Sequence, residues 1–335
     1  YGGTMLHNFL YRVCGCTGDW NMDSFIDDTV ETIRKKVGDS RVILGLSGGV
    51  DSSVAAALIS RAIGRNLTCV FVDHGLMRKD EGDFVEKTFT SMFDMKFVRV
   101  NCADRFFTAL KGITDPEEKR KIIGENFYEV FWGEISRQSG NGFLGQGTIY
   151  PDRIESGKDD AAKIKTHHNR VGIPEGLKFA GLVEPLRDLF KDEVRSVGEK
   201  LGIPSELVWR QPFPGPGLGV RIIGEITEER VHLLQEADAV LRDEMSACGY
   251  ERELSQFFCV LPGVRTVGVL GDHRTYDDLV VIRAVTTDDF MTADWARIPY
   301  VILARASNRI TNEVRGINRV AYDITTKPPA TVEWE

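Results

Sequence analysis

The sequence has no apolar run approaching the roughly 18 residues needed to cross a bilayer, and no basic-then-apolar leader. A cytoplasmic protein without membrane contact is therefore expected. Cysteine is scarce: six thiols stand at 14, 16, 69, 102, 248 and 259, and only Cys14 and Cys16 are close. No second pair follows at metal-ligand spacing, so neither a zinc site nor a disulfide framework is expected. Basic charge is not in excess, since 42 Lys and Arg face 50 Asp and Glu, a net charge of -8. That balance argues against a sequence-independent nucleic-acid binder, while leaving room for a local phosphate pocket. Internal repeats and low-complexity tracts are missing too. What remains, 42% apolar and 27% charged residues over 335 positions, suits a soluble globular chain of two domains. The first residue is Tyr1, so the sequence reads as a piece of a longer polypeptide.

Short apolar runs alternate with helical spacing in the first two thirds. Arg41 to Leu46, Leu67 to Asp73 and Lys96 to Val100 read as strands, with a weaker fourth at Phe143 to Gly145. Ser52 to Ile63, Glu81 to Met92 and Val183 to Arg195 read as helices. This alternation predicts an α/β fold: a mostly parallel sheet covered by helices, with ligands beyond the carboxyl ends of its strands. Three prolines and three glycines in 211–219 (QPFPGPGLG) cannot lie inside a regular element, so a linker is placed there. Residues 21–210 then form the first domain. A second, smaller α/β domain covers 220–335. Its expected helices are Thr227 to Met245 and Ile298 to Val314; its expected strands are Thr266 to Leu270, Asp278 to Val285 and Arg319 to Ile324.

The densest chemical signal is Ser47-Gly48-Gly49-Val50-Asp51-Ser52-Ser53, between the first strand and the first long helix. Free amides at a helix start, glycines that let backbone approach a ligand, and three hydroxyl donors make an anion site. Asp51 is out of place against phosphate unless a cation lies between, and Mg2+ bridging the two would resolve this. The Walker pattern Gly-x-x-x-x-Gly-Lys-Ser/Thr is absent. The loop resembles the Ser-Gly-Gly-x-Asp-Ser loop of the ATP pyrophosphatases, whose members split ATP between the α- and β-phosphates.

Four further segments resemble GMP synthetases within that family, and together the resemblance covers essentially the whole chain. They are Gly145 to Ser156 (GQGTIYPDRIES), Ile164 to Asn169 (IKTHHN), the run from Val183 through Gly219, and Lys327 to Glu335 (KPPATVEWE). The resemblance implies that Asp152 and Glu155 add carboxylates to the metal–pyrophosphate site. It implies a lid in which Lys165, His167 and His168 stabilise charge, and a xanthosine monophosphate (XMP) pocket with Arg120, Arg319, Lys327, Val332 and Glu333. Leu270 stands where some members have a substrate-touching glutamine, and it cannot donate that hydrogen bond.

By the same resemblance, ATP activates XMP as an adenylate, ammonia displaces AMP, and GMP is formed. Residues 1–20 resemble the linker after a glutamine amidotransferase domain, the expected ammonia source, and the smaller domain resembles a dimerisation domain. A homodimer is thus implied. Two other readings stay open: an RNA-modifying ATP pyrophosphatase of the thiolase or lysidine synthase type, and a non-catalytic nucleotide-binding module.

Overall fold

The computed structural model describes residues 1–138, 142–155 and 177–335. Along the chain run α1 (Gly2–Asn8), α2 (Met22–Val37), β1 (Val42–Gly45), α3 (Val50–Ile63), β2 (Leu67–Asp73), α4 (Glu81–Met92) and β3 (Lys96–Asn101). They are followed by α5 (Ala103–Leu110), α6 (Pro116–Gln138), β4 (Phe143–Gly145), α7 (Tyr150–Glu155), β5 (Gly181–Val183), α8 (Lys191–Lys200) and α9 (Ser205–Val208). The last third contains α10 (Glu228–Ala247), β6 (Gln256–Val260), β7 (Arg265–Leu270), β8 (His273–Thr286), β9 (Asp294–Trp295), α11 (Tyr300–Glu313) and β10 (Ile317–Asp323).

The first sheet has the order β3-β2-β1-β4-β5, and its pairings are all parallel. Side chains alternate across it, because a strand has a two-residue period. Val42 and Leu44 of β1 enter a core with α2, α3 and α8, whereas Ile43 points to the other face with Trp132 and Ile135 of α6. Helices therefore cover both faces, as the alternating pattern predicted. Chain order reverses beside β1, leaving a crevice between the carboxyl ends of β1 and β4, where doubly wound sheets place ligands.

The second sheet is built around β8. The first half of β8 forms an antiparallel hairpin with β7. The second half pairs antiparallel with β6 and β9, and β10 lies parallel to β8. Val280, Ile282 and Ala284 face α10 and α11, while Val281 and Val285 face the opposite side with Phe258 and Val332. The core on the α10 side also takes in Leu76, Phe106, Leu110 and Ile123, so the loop after β2, α5 and α6 share apolar packing with the second sheet's layer.

Three sequence expectations change in detail. Val183 to Arg195 is not one helix: β5 ends at Val183, a turn follows Pro185, and α8 starts only at Lys191. Proline has no N–H to offer a neighbouring strand, so the ladder is not resumed at Pro185. β5 and β6 were not read as strands at all. The Pro/Gly stretch is no loose tether either, because Gln211, Gly217, Leu218, Gly219 and Val220 are buried.

Candidate active site

β1 delivers Ser47 to the carboxyl edge of the sheet, and Gly48 turns the chain into α3. Gly48 has φ +74°, where a side chain is strained. Gly49 is the N-cap residue, and Ser53 donates to its carbonyl through Oγ (2.8 Å) and N–H (3.1 Å). Ser52 Oγ links Ser47 and Gly49: it lies 3.1 Å from Ser47 Oγ and donates to Gly49 O at 3.1 Å. Gly147, in the loop after β4, runs so close to this turn that a Cβ there would be 3.1 Å from Ser52 N. The predicted loop is thus one compact turn on the helix N-terminus, inside the crevice beside β4. That is an anion-binding geometry, with free amides and the positive end of the helix dipole.

Asp51 lies in the first turn of α3 and is half-buried. Its Oδ2 accepts from Lys191 Nζ at 2.6 Å, and its Oδ1 is buried without a partner. An orphaned carboxylate oxygen at the N-terminus of α3 suits a divalent cation, so this residue fits Mg2+. Lys191 was missed as a site residue. The available signal was a lysine at the first position of a helix, where the dipole disfavours a cation.

Asp152 sits at the start of α7, across the crevice, and its Oδ2 accepts from Ile149 N at 3.0 Å. Its neighbour Arg153 pairs with Asp188 at 2.6 Å. Glu155 ends α7. Lys165, His167 and His168 lie outside the described residues.

The residues expected at XMP divide into two groups. Lys327, Val332 and Glu333 gather on the far face of the second sheet. Lys327 Nζ donates to Phe290 O at 2.6 Å, and Val332 packs on that sheet. Glu333 is held bidentately by Arg221 at 2.8 and 2.9 Å and accepts from Gln256 at 2.9 Å. Its carboxylate is therefore engaged within the protein. Arg221 is fully buried, 3.9 Å above the Phe258 ring, with Nη1 unpartnered. Sequence reasoning passed over it. Arg120 lies apart on α6, 3.8 Å from Glu117, and Arg319 is exposed on β10.

A buried ionic layer separates loop and tail. Glu81 is paired with Arg210, whose Nη1 also reaches Gly48 O at 2.8 Å. Asp238 holds Arg242 at 2.9 Å, and the three arginines around it keep its carboxyl below the usual range despite its burial. Burial, with Arg242 and Arg210 nearby, pushes the Arg78 guanidinium well below its ordinary value, and its central carbon lies 4.4 Å from the centre of the Phe213 ring.

A parallel sheet with a Gly-Ser turn at a helix start is the arrangement expected of an ATP-pyrophosphatase domain. The family model described as NAD synthase matches residues 22–128, and the one described as GMP synthase C terminal domain matches residues 243–334. Glutamine-hydrolysing GMP synthases of Acetivibrio thermocellus, Ruminiclostridium cellulolyticum and Finegoldia magna are each 60% identical over 334 residues, across 100% of this chain. The chain spans 65% of the length of these curated relatives. The likeness to GMP synthases runs along the whole of this chain. Among solved structures, an NMN synthetase from Francisella tularensis aligns with 64% of this chain and 85% of its own, at 15% identity and a TM-score of 0.42.

Proposed function

We propose that this chain carries the synthetase half of a GMP synthase: it uses ATP to activate XMP and then aminates it. The observation that carries the reading is the Ser47 to Ser53 turn, with the free Oδ1 of Asp51, set in the crevice between β1 and β4. In this reading the oxygen on C2 of XMP attacks the α-phosphorus of ATP. The bond to the β-phosphate oxygen breaks, and pyrophosphate leaves with the charge that builds there. The amides of the loop, the Ser47 hydroxyl and Lys191 would receive that charge, while the Ser52 and Ser53 hydroxyls, donated to Gly49 O, brace the turn. Lys165, His167 and His168 add donors, and Asp152 and Glu155 add carboxylates. Ammonia then attacks C2 of adenyl-XMP, AMP departs with the original oxygen, and a lost proton leaves GMP.

Asp51 would hold Mg2+ through Oδ1. A bound Mg2+ would neutralise phosphate charge that the carboxylate otherwise repels. Lys327, Val332 and Glu333 form the proposed purine side of the XMP pocket, Arg120 and Arg319 would reach its phosphate from outside that cluster, and Glu333 would exchange its Arg221 contact for the purine. A glutamine amidotransferase domain is the proposed ammonia source.

A second copy of the chain is the proposed partner of the second sheet. Val267 and Val269, two residues apart on β7, share an exposed face with their cross-strand neighbour Tyr276. Asn318 at the start of β10 donates to Thr266 O at 2.7 Å, which sets this hairpin beside Arg319. The decisive experiment uses XMP labelled with 18O at C2, together with ATP, Mg2+ and ammonium. The label should appear in the phosphate of AMP; label in pyrophosphate or in water would overturn the adenylate step.

A further inference from the structure

We infer that Arg210 is a positioning residue for the phosphate loop: it fixes the Gly48–Gly49 peptide so that the Gly49 amide faces the nucleotide. The inference rests on the ATP-pyrophosphatase reading of that loop. Arg210 lies at the end of the first domain, 162 residues from Gly48, and its Nη1 donates to Gly48 O at 2.8 Å. Its Nη2 is paired with Glu81, whose side chain is 3% exposed against 11% for Arg210. The other carboxylate oxygen of Glu81 accepts from Arg78 N at 3.0 Å. The guanidinium is therefore held from behind while its front pins one carbonyl.

A trans peptide carries its C=O and the following N–H on opposite sides. Turning Gly48 O toward Arg210 turns the Gly49 N–H away from it, toward Ser47 Oγ at 3.3 Å. That contact is long for an N–H donor, and a charged phosphate oxygen outcompetes it. Gly48 and the arginine are matched, because a Cβ at 48 would lie 2.9 Å from Nη1. Arg210 is also anchored through its neighbour. Gln211 accepts from Phe257 N at 3.0 Å and donates to Leu254 O at 3.2 Å, both beside or within β6. Docking of the second sheet thus fixes the arginine that shapes the loop.

The test compares wild type with Arg210→Lys, Arg210→Met and Arg210→Met/Glu81→Gln. Binding of magnesium pyrophosphate is measured by calorimetry, KM for ATP and for XMP by GMP formation, and stability by thermal unfolding. Arg210→Met should weaken pyrophosphate binding and raise KM for ATP by at least about tenfold, the loss of one charge-assisted hydrogen bond, with KM for XMP unchanged. Arg210→Lys should recover part of this. The double variant removes the stranded carboxylate, so it should regain stability without regaining pyrophosphate affinity. Wild-type pyrophosphate affinity in the double variant would overturn the inference, as would an equal rise in both KM values. If the wild-type chain binds no pyrophosphate, the reading of the loop fails instead.

Discussion

At the scale of single residues, His74 makes the clearest prediction. It opens the loop after β2, buried, with its ring 5.3 Å from Phe106, and its Nδ1 accepts from Leu76 N at 3.1 Å. That contact fixes a neutral ring with the proton on Nε2. Burial holds its pKa down at about 4, from an ordinary 6.5, against the opposing pull of Asp73 and Glu81. Between those values the unfolded chain binds the proton and the native chain does not. Stability from this site is therefore complete above pH 6.5 and is lost as pH falls toward 4, by up to about 3 kcal/mol. His74→Asn keeps an acceptor for Leu76, and denaturant titrations should show a flatter stability profile over that window. An unchanged slope would place the acid sensitivity elsewhere. The loop residues Ser47 to Ser53 were legible because their chemistry is local to seven positions. Lys191, Arg210 and Arg221 were not, since their partners Asp51, Glu81 and Glu333 lie 140, 129 and 112 residues away.

At the scale of elements, the sequence marked β2 and α4 at their observed limits, because Leu67 to Asp73 is a run of strand formers and Asp80 with Glu81 opens a helix. It missed β5, only three residues long, whose Gly-Leu-Val carries no period. It missed β6 because Gln256 to Val260 is buried on both faces and shows no alternation. The Pro/Gly stretch was seen as irregular, yet not as a packed junction. Gly217 shows why that matters. It has φ +63°, and a Cβ there would lie 2.2 Å from Leu76 O, the same carbonyl that accepts from Leu218 N at 2.8 Å. Gly217→Ala should cost at least about 2 kcal/mol through backbone strain and the lost junction, measured by urea unfolding. A variant as stable as the parent would mean that the junction can shift freely.

At the scale of the whole molecule, α5, α6 and the loop after β2 share one apolar layer with the second sheet, and the tail closes the far side of that sheet through Val332. The exposed Val267, Val269 and Tyr276 face is where a second copy is proposed to dock, so Val269→Lys should shift the chain toward monomer in sedimentation. A monomeric wild type would remove that proposal. Among the described residues no helix is long and apolar enough to cross a membrane. The parallel sheet and its crevice followed from the alternation of strands and helices, whereas the shared layer did not, since α5 and α6 contact the second sheet through chain-distant residues. The central claim is that ATP is cleaved at the Ser47 loop to aminate a purine. Its most direct test incubates the chain with ATP, Mg2+, XMP and ammonium and counts products. Equal amounts of pyrophosphate, AMP and GMP are expected, with a loss of at least about a hundredfold in Asp51→Asn. Release of ADP and phosphate, or full activity in Asp51→Asn, would contradict the account.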